Sequence, residues 1–325
     1  MTQAQQPPAH ALVADIGGTN ARFALADPVS LELAEIRQVP CAEHPSLDAA
    51  LSEYIGSLPS PPSRAAIAVA APVTGGEVSL TNSSWSFAAA ELRRKAGLRQ
   101  ILILNDFEAL ALSLPHLAED ELYQIGGAAP VAEANKLVLG PGTGLGIAGL
   151  VWSGERWVAV PGEGGHVSLG GEDERELALL ERIRKGREHL SAERVLSGPG
   201  LAELYRAVAA SRGLSPDALK PNDVLVKGSS GEDEVAAQAL DLFAAWLGRF
   251  AGDAALLFGA RGGVYLGGGI APAILAKLSA GTFRKSFEAK GRMSAYLAPV
   301  PVYVITAGFA ALKGAAAALR DRPAT

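Results

Sequence analysis

Cysteine and positive charge are both scarce in this chain of 325 residues. A single cysteine, Cys41, excludes an internal disulfide bond and is typical of a reducing compartment, so we expect a cytoplasmic protein. The net charge of -5 argues against a nucleic-acid partner. Residues 1–10 lack the basic-then-apolar layout of a secretory signal, and apolar runs such as 101–104 are too short to cross a bilayer. We therefore expect no membrane partner.

Two common nucleotide-binding motifs are also missing. No GxxxxGK[ST] phosphate loop occurs in the sequence. Residues 144–149 match GxGxxG, but that fingerprint requires a helix directly after the turn. Residues 147–152 instead predict a strand, so we reject a dinucleotide-binding fold.

The remaining composition is that of a well-packed globular protein, with 49% hydrophobic and 19% charged residues. Apolar strand patterns alternate with helical patterns, which predicts an α/β fold. Strand patterns cover residues 12–16, 21–26, 65–70, 101–104, 136–139, 147–152, 263–266 and 300–305. Helical patterns cover residues 46–58, 86–96, 108–114, 174–190, 200–211, 232–258 and 307–319. We interpret residues 211–221 and 226–232 as exposed loops.

The chain is longer than one hydrophobic core usually supports, which predicts two lobes. Pro115 ends a helical pattern and a polar stretch follows it, so we place a boundary there. The smaller α/β lobe would comprise residues 1–115 with the C-terminal helix, 307–325, and the larger α/β lobe residues 116–306. Similar hairpins near the start of each half predict mixed sheets and a cleft between the lobes.

Two glycine-rich turns, each between apolar strands, are the strongest functional signal. The first is Gly17-Gly18-Thr19, preceded by Asp15, and the second is Gly142-Thr143-Gly144. Successive backbone N–H groups in such turns form an anion-binding concavity, so we predict two phosphate cradles. Asp15 is placed to hold the magnesium ion that accompanies phosphates.

A third glycine cluster follows the strand pattern at residues 263–266. It contains Gly268 and Gly269, and the missing side chains would leave room for an adenine ring or a ribose.

Five positions carry polar side chains suited to a polyhydroxylated ligand. Asn105 and Asp106 follow an apolar strand, where ligand crevices of α/β sheets form, although Asp106 could instead cap the next helix. Glu163 and His166 lie among glycines without the further ligands of a zinc site. Glu193 could bind a ligand or simply pair with Arg194.

These segments together resemble the bacterial glucokinase family of the non-ROK kind, within the actin–hexokinase–Hsp70 superfamily. The similar blocks are residues 14–22, 104–109, 139–146, 161–166, 193–200 and 283–292, in order along nearly the whole chain. The ROK sugar kinases carry a cysteine-rich zinc motif, which a chain with one cysteine cannot contain.

The resemblance implies a two-lobed, actin-like (ribonuclease H-like) ATPase fold and ATP-dependent phosphorylation of glucose to glucose 6-phosphate, the first step of glycolysis. It implies that Asp106 is the catalytic base and that Asn105, Glu163, His166 and Glu193 hold glucose hydroxyls. ATP would be bound by Ala14, Asp15, Ile16, Gly17, Gly18 and Thr19, with Thr143 and its neighbouring glycines opposite. A homodimer is expected by analogy.

Other interpretations remain open at the level of sequence. A nucleotide-gated chaperone or filament protein would share the phosphate turns but has no reason for the polar cluster of Glu163, His166 and Glu193. A sugar-responsive regulator would need a DNA-binding helix-turn-helix, for which the segment before Ala11 has no room. The sequence does not decide among glucose, mannose and fructose, or among ATP, ADP and polyphosphate.

Overall fold

The computed structural model describes residues 10–73, 75–80, 85–215 and 218–322. Residues 1–9, and residues 216–217 of the loop predicted over 211–221, lie outside the described residues. Contacts between Cα atoms divide the chain into two compact units. Unit 1 is Met1–Leu117 with Ala307–Thr325, and unit 2 is Ala118–Thr306.

Unit 1 contains a five-stranded sheet, a short hairpin and four α-helices within the described residues. The strands are β1 (Ala11–Ile16), β2 (Asn20–Ala26), β3 (Leu33–Pro40), β4 (Arg64–Val69), β5 (Glu77–Ser79), β6 (Ser86–Ala88) and β7 (Gln100–Asn105). The helices are α1 (Leu47–Gly56), α2 (Ala89–Lys95), α3 (Asp106–Ser113) and, at the C-terminus, α12 (Ala310–Asp321).

The large sheet of unit 1 has the order β3-β2-β1-β4-β7 and is mixed. Strand β1 pairs antiparallel with β2 and parallel with β4, which in turn pairs parallel with β7. Because β1, β4 and β7 run in the same direction, the residues after Ile16, Val69 and Asn105 emerge at one sheet edge.

Helix α12 covers this sheet and contacts α3 at very short range. A Cβ atom added at Gly314 would lie 1.7 Å from the carbonyl oxygen of Ala109. Only glycine permits the two backbones to approach so closely. The alanine-rich sequence of α12 is thus explained by dense packing within unit 1.

Unit 2 is built around a six-stranded mixed sheet of order β11-β10-β9-β12-β13-β8. Its strands are β8 (Leu122–Gly126), β9 (Lys136–Pro141), β10 (Leu145–Trp152), β11 (Trp157–Gly162), β12 (Val264–Leu266) and β13 (Val302–Ile305). Its helices are α4 (Glu174–Arg184), α5 (Gly198–Ser211), α6 (Pro221–Ser230), α7 (Glu234–Phe258), α8 (Ile270–Ala273), α9 (Leu275–Ser279), α10 (Thr282–Glu288) and α11 (Ser294–Leu297).

The long helix α7 forms much of the core of unit 2. Asp233 caps its N-terminus by accepting hydrogen bonds from the backbone N–H groups of Val235 and Ala236, and Gly259 ends it in the left-handed region with φ of 59°. Phe243, Trp246 and Leu247 are fully buried, as expected for a helix that is apolar over most of its circumference.

The mixed α/β architecture predicted from the sequence is confirmed, and both glycine turns join antiparallel strands. The rejection of GxGxxG is also confirmed, because β10 continues as a strand to Trp152. No helix within the described residues is long and apolar enough to cross a membrane.

Three local predictions are wrong. The helix predicted over residues 174–190 ends at Arg184, the last residue of α4. Residues 86–96 form strand β6 before helix α2 rather than one helix, and β6 pairs with β5. Residues 226–232, predicted as a loop, mostly belong to α6, which begins at Pro221 and ends before Gly231 with φ of 76°. Proline in the first turn and a left-handed glycine after the last turn are typical of helix ends. These two signals predict the helix better than the polar composition predicts a loop.

Candidate active site

The first glycine turn, residues 17–19, is closed by backbone hydrogen bonds within unit 1. The N–H of Gly17 donates to the Asn20 carbonyl at 3.0 Å, and the N–H of Cys41 donates to the Thr19 carbonyl at 2.8 Å. The Cys41 thiol lies 3.5 Å from the Gly17 carbonyl. The buried cysteine therefore supports the turn, and Thr19 is exposed at its tip.

Asp15 forms an ion pair directly below this turn. Its Oδ2 lies 2.9 Å from Nη1 of Arg22, the residue opposite it in the β1–β2 register. Burial raises the pKa of Asp15, and the charge and hydrogen bond of Arg22 oppose that rise. A carboxylate so placed favours any additional cation that reaches it.

Asn105 and Asp106 stand at the carboxyl end of β7, at the same sheet edge as the first glycine turn. The capping role considered for Asp106 belongs to Asn105, whose Oδ1 accepts hydrogen bonds from Phe107 N at 2.9 Å and Glu108 N at 3.2 Å. The extended backbone of Asn105 (φ -66°, ψ 150°) places it before the helix, whereas Asp106 is already the first helical residue. The side-chain amide nitrogen of Asn105 donates to the Ala71 carbonyl at 3.3 Å.

The second glycine turn, residues 142–144, joins β9 to β10 in unit 2. The N–H of Gly142 donates to the Gly144 carbonyl at 2.8 Å. The third glycine cluster packs against the same hairpin, because a Cβ at Gly140 would lie 2.3 Å from the Gly267 carbonyl oxygen. Gly268, with φ of 74°, similarly lies against the Pro141 carbonyl. The structure thus brings the two predicted nucleotide-binding glycine clusters of unit 2 together.

Glu163 and His166 lie on a loop that we call the β11–α4 loop and define as residues 163–169. Their side chains are both more than half exposed, with 3.9 Å between Glu163 Oε2 and His166 Nε2. A Cβ at Gly165 would lie 2.0 Å from the Leu145 carbonyl oxygen, so the β11–α4 loop packs directly on the start of β10. Among the described residues, no cluster of His, Cys, Asp and Glu has the arrangement of a metal site.

A second segment, residues 189–198, is hydrogen-bonded to the β11–α4 loop and is here called the clamp segment. The N–H of Ala192 donates to the Val167 carbonyl at 2.8 Å, and the N–H of Leu169 donates to the Leu190 carbonyl at 3.2 Å. Nε2 of His189 lies 2.8 Å from the His166 carbonyl oxygen. These contacts bring the segment of Glu193 beside the segment of Glu163 and His166.

Glu193 is half-buried and engages the second glycine turn. Its Oε2 accepts a hydrogen bond from the N–H of Leu145 at 2.9 Å, so this oxygen is directed to the turn rather than to the neighbouring Arg194. The N–H of Gly198 donates to the Gly142 carbonyl at 2.8 Å on the other side of the turn.

Sequence reasoning did not assign Arg22 or Leu145 to the site. Arg22 could have been found, because a two-residue alternation across a short hairpin places it opposite Asp15. The contact between Leu145 and Glu193 has no local signal, since 48 positions separate them.

Comparison with known proteins places the chain in one family. A family model described as Glucokinase matches residues 12–322. The chain is 43% identical over 311 residues to a glucokinase of Tolumonas auensis, covering 96% of this chain and 97% of that protein.

Solved structures agree with that assignment. The chain is similar to a glucokinase crystal structure from an Antarctic psychrotroph, with a TM-score of 0.86, 39% identity and coverage of 97% and 99% of the two chains. It also shares the fold of a ROK family glucokinase from Streptomyces griseus solved with glucose and AMPPNP, with a TM-score of 0.66, 19% identity and coverage of 96% and 100%. The chain therefore has the actin-like ATPase fold of these sugar kinases.

Proposed function

Because the chain belongs to the glucokinase family, we propose that it transfers the terminal phosphoryl group of ATP to the 6-hydroxyl of glucose. The products are glucose 6-phosphate and ADP, as in the first step of glycolysis. The observation that carries this proposal is that the segment of Glu163 and His166 lies beside the segment of Glu193, which is hydrogen-bonded to a glycine turn of unit 2. A chaperone or filament protein has no use for that polar cluster.

Asp106 is the proposed general base. It accepts the proton of the 6-hydroxyl as that oxygen attacks the terminal phosphorus and the bond to the ADP oxygen breaks. Its Oδ1 accepts the N–H of Phe107 at 2.9 Å, which fixes the direction of the carboxylate. Positioning of the hydroxyl in line with the leaving oxygen supplies most of the acceleration in phosphoryl transfer.

Glucose recognition is assigned to Asn105, Glu163, His166 and Glu193. Carboxylates and amides can each engage neighbouring hydroxyls of one sugar. A sugar lacking one of these hydroxyls would leave a polar group without its partner, which lowers its affinity. These groups therefore supply both binding and selectivity.

ATP binding is assigned to the glycine turns of both units. In unit 1 the residues are Ala14, Asp15, Ile16, Gly17, Gly18 and Thr19. In unit 2 they are Gly142, Thr143 and Gly144 for the phosphates, with Gly268 and Gly269 for the nucleoside.

Asp15 fits the needs of a magnesium ion that arrives with ATP. Magnesium is usually bound by one or two carboxylates together with substrate phosphates and water, rather than by a protein cage. The pKa of Asp15 is raised by burial, so its ionised form gains from a second cation beside Arg22. When bound, the ion would reach Asp15 through water and offset phosphate charge.

A coupled assay tests the activity. Purified protein is offered ATP, ADP or tripolyphosphate together with glucose, mannose or fructose, and sugar phosphate is measured for each pair. We expect ATP with glucose to give the highest kcat/KM. Hydrolysis of ATP at the same rate without sugar would instead favour the chaperone interpretation.

We also propose a cytoplasmic homodimer formed through unit 2. The edge strand β11 exposes Val158 and Val160, and Val167 and Leu257 are exposed by 51% and 85%. Exposed apolar side chains on an edge strand favour association with a second copy. Sedimentation of wild type and Val160→Lys tests this: we expect a dimer that the lysine weakens, and a monomeric wild type would contradict it.

A further inference from the structure

The Glu193 carboxylate is in direct contact with the second glycine turn. Its Oε2 accepts the Leu145 N–H at 2.9 Å. A Cβ added at Gly144 would lie 2.4 Å from the same oxygen and 3.2 Å from the carboxylate carbon. The turn has a glycine at 144 because the Glu193 carboxylate occupies the space of a side chain.

The clamp segment holds this turn at two points. Gly198 N–H donates to the Gly142 carbonyl on the β9 side of the turn, and the Glu193 carboxylate accepts Leu145 N–H on the β10 side. The same segment is hydrogen-bonded to the β11–α4 loop through Ala192 and Leu190. A displacement of Glu193 therefore acts on both the phosphate turn and the sugar side of unit 2.

From this geometry we propose that Glu193 is a positioning residue for the ATP phosphates as well as a glucose ligand, and that it couples the two binding events. The inference rests on the proposed function. A carboxylate has two oxygens, so one can hold the turn while the other accepts a sugar hydroxyl. Glucose that fixes Glu193 also fixes the turn that receives phosphate.

Two coupled ligands change each other's Kd by the same factor. A substitution in the turn that moves Glu193 is expected to weaken glucose binding, even in the absence of nucleotide. Removal of the Glu193 carboxylate is expected to weaken nucleotide binding, even in the absence of glucose. The second effect is not expected if Glu193 binds only sugar and the turn binds only phosphate.

Gly144→Ala tests the first direction, with Gly142→Ala as its matched control. Both substitutions add one methyl group to the same turn, but a Cβ at Gly142 meets nothing within 4 Å. Because the Cβ at position 144 displaces only the end of a flexible side chain, the variant is expected to fold. We expect its glucose Kd, measured by calorimetry without nucleotide, to rise about tenfold or more, as for a lost charge-assisted hydrogen bond. Gly142→Ala should change the glucose Kd less than about twofold.

Glu193→Ala tests the reverse direction, with His166→Ala as its control. Both residues are assigned to glucose, and within the described residues a side-chain hydrogen bond to the turn is made by Glu193 but not by His166. We expect the Kd of AMPPNP, measured without sugar, to rise at least about threefold in Glu193→Ala and to stay near wild type in His166→Ala.

Three results would overturn the inference: an unchanged glucose Kd in Gly144→Ala, equal effects of the two glycine variants, or equal effects of the two sugar-ligand variants on AMPPNP. Failure of the proposed function is a separate result, in which wild type releases no ADP in response to glucose.

Discussion

Asp15 and Arg22 face each other across the β1–β2 hairpin, with 2.9 Å between Oδ2 and Nη1. The Asp15 side chain is 18% exposed and that of Arg22 is 36% exposed. The pair is thus only partly shielded from water, and its favourable interaction does not cancel the unfavourable effect of burying the carboxylate. A charged group kept where it opposes folding points to a role in ligand binding.

Asp15→Asn should therefore reduce activity without reducing stability. The amide retains an oxygen for Arg22 and removes a buried negative charge, so the free energy of unfolding at pH 7 is expected to equal or exceed that of wild type. We expect kcat/KM for ATP to fall by at least about tenfold. Urea denaturation and steady-state kinetics measure the two effects, and a less stable variant would contradict this account.

The difference in folding stability between wild type and Asp15→Asn should change with pH in a defined direction. A carboxyl group whose pKa is higher in the folded protein than in the unfolded chain binds its proton more tightly when folded. Stability from Asp15 is therefore fully present below the unfolded pKa and is lost as pH rises through the raised folded pKa. The stability of wild type relative to Asp15→Asn should improve as pH falls towards 4, and a difference independent of pH would refute the shift.

Asp106→Asn should remove turnover while leaving the fold and glucose binding intact. The amide keeps the acceptor for Phe107 N–H but cannot take a proton from the sugar hydroxyl. Loss of a general base typically lowers kcat by about 100- to 10,000-fold. Glu108→Gln is the matched control, since this carboxylate lies on the same helix and pairs with Arg322 instead. Similar losses of kcat in Asp106→Asn and Glu108→Gln would contradict the assignment of Asp106 as the general base.

Asn105→Ala should destabilise unit 1 through the start of α3. The substitution removes the oxygen that accepts Glu108 N–H and shares Phe107 N–H with Asp106, and loss of such a cap lowers stability by about 0.5–2 kcal/mol. Asn105→Asp keeps the capping oxygen but loses the hydrogen bond to the Ala71 carbonyl, so it should be more stable than the alanine variant in chemical denaturation. If the aspartate variant is as unstable as the alanine variant, the cap is not the cause.

Gly314→Ala should be more damaging than a usual glycine substitution in a helix. Alanine normally stabilises a helix by about 1 kcal/mol relative to glycine. Here the new methyl group would overlap the Ala109 carbonyl, and such overpacking lowers stability by about 1–3 kcal/mol or more. Gly56→Ala, in α1 with nothing within 4 Å of the new atom, is the control and should not destabilise. The Tm of both variants, measured by thermal unfolding, tests this difference.

Sequence patterns predict the buried strands of this protein better than the exposed ones. Strands β1 and β4 are buried and apolar apart from Asp15 and Arg64, so a short apolar run identified each of them. Strands β3 and β11 lie at sheet edges with mostly exposed residues, and the apolar patterns missed both. An edge strand pairs on one side only, so burial imposes little on its sequence.

Sequence also predicts the local features of the candidate site better than its long-range contacts. Glycine turns and an Asn-Asp pair after a strand are local features, and sequence reasoning could propose roles for them. The bond between Glu193 and Leu145 depends on how two distant segments fold together, so no window of sequence contains it. The choice of Asn105 over Asp106 as the cap depends on one backbone torsion, because both residue types are suited to that position.

The packing of α12 against α3, β1 and β4 has a consequence for biosynthesis. Unit 2 is continuous in sequence and is complete once residue 306 has emerged from the ribosome, whereas unit 1 waits for the final helix. Until then the β1–β4 surface that α12 covers stays open to solvent, although its strands were among the first to be translated. A nascent chain stalled before residue 310 would expose this apolar sheet and should depend on chaperones that hold it.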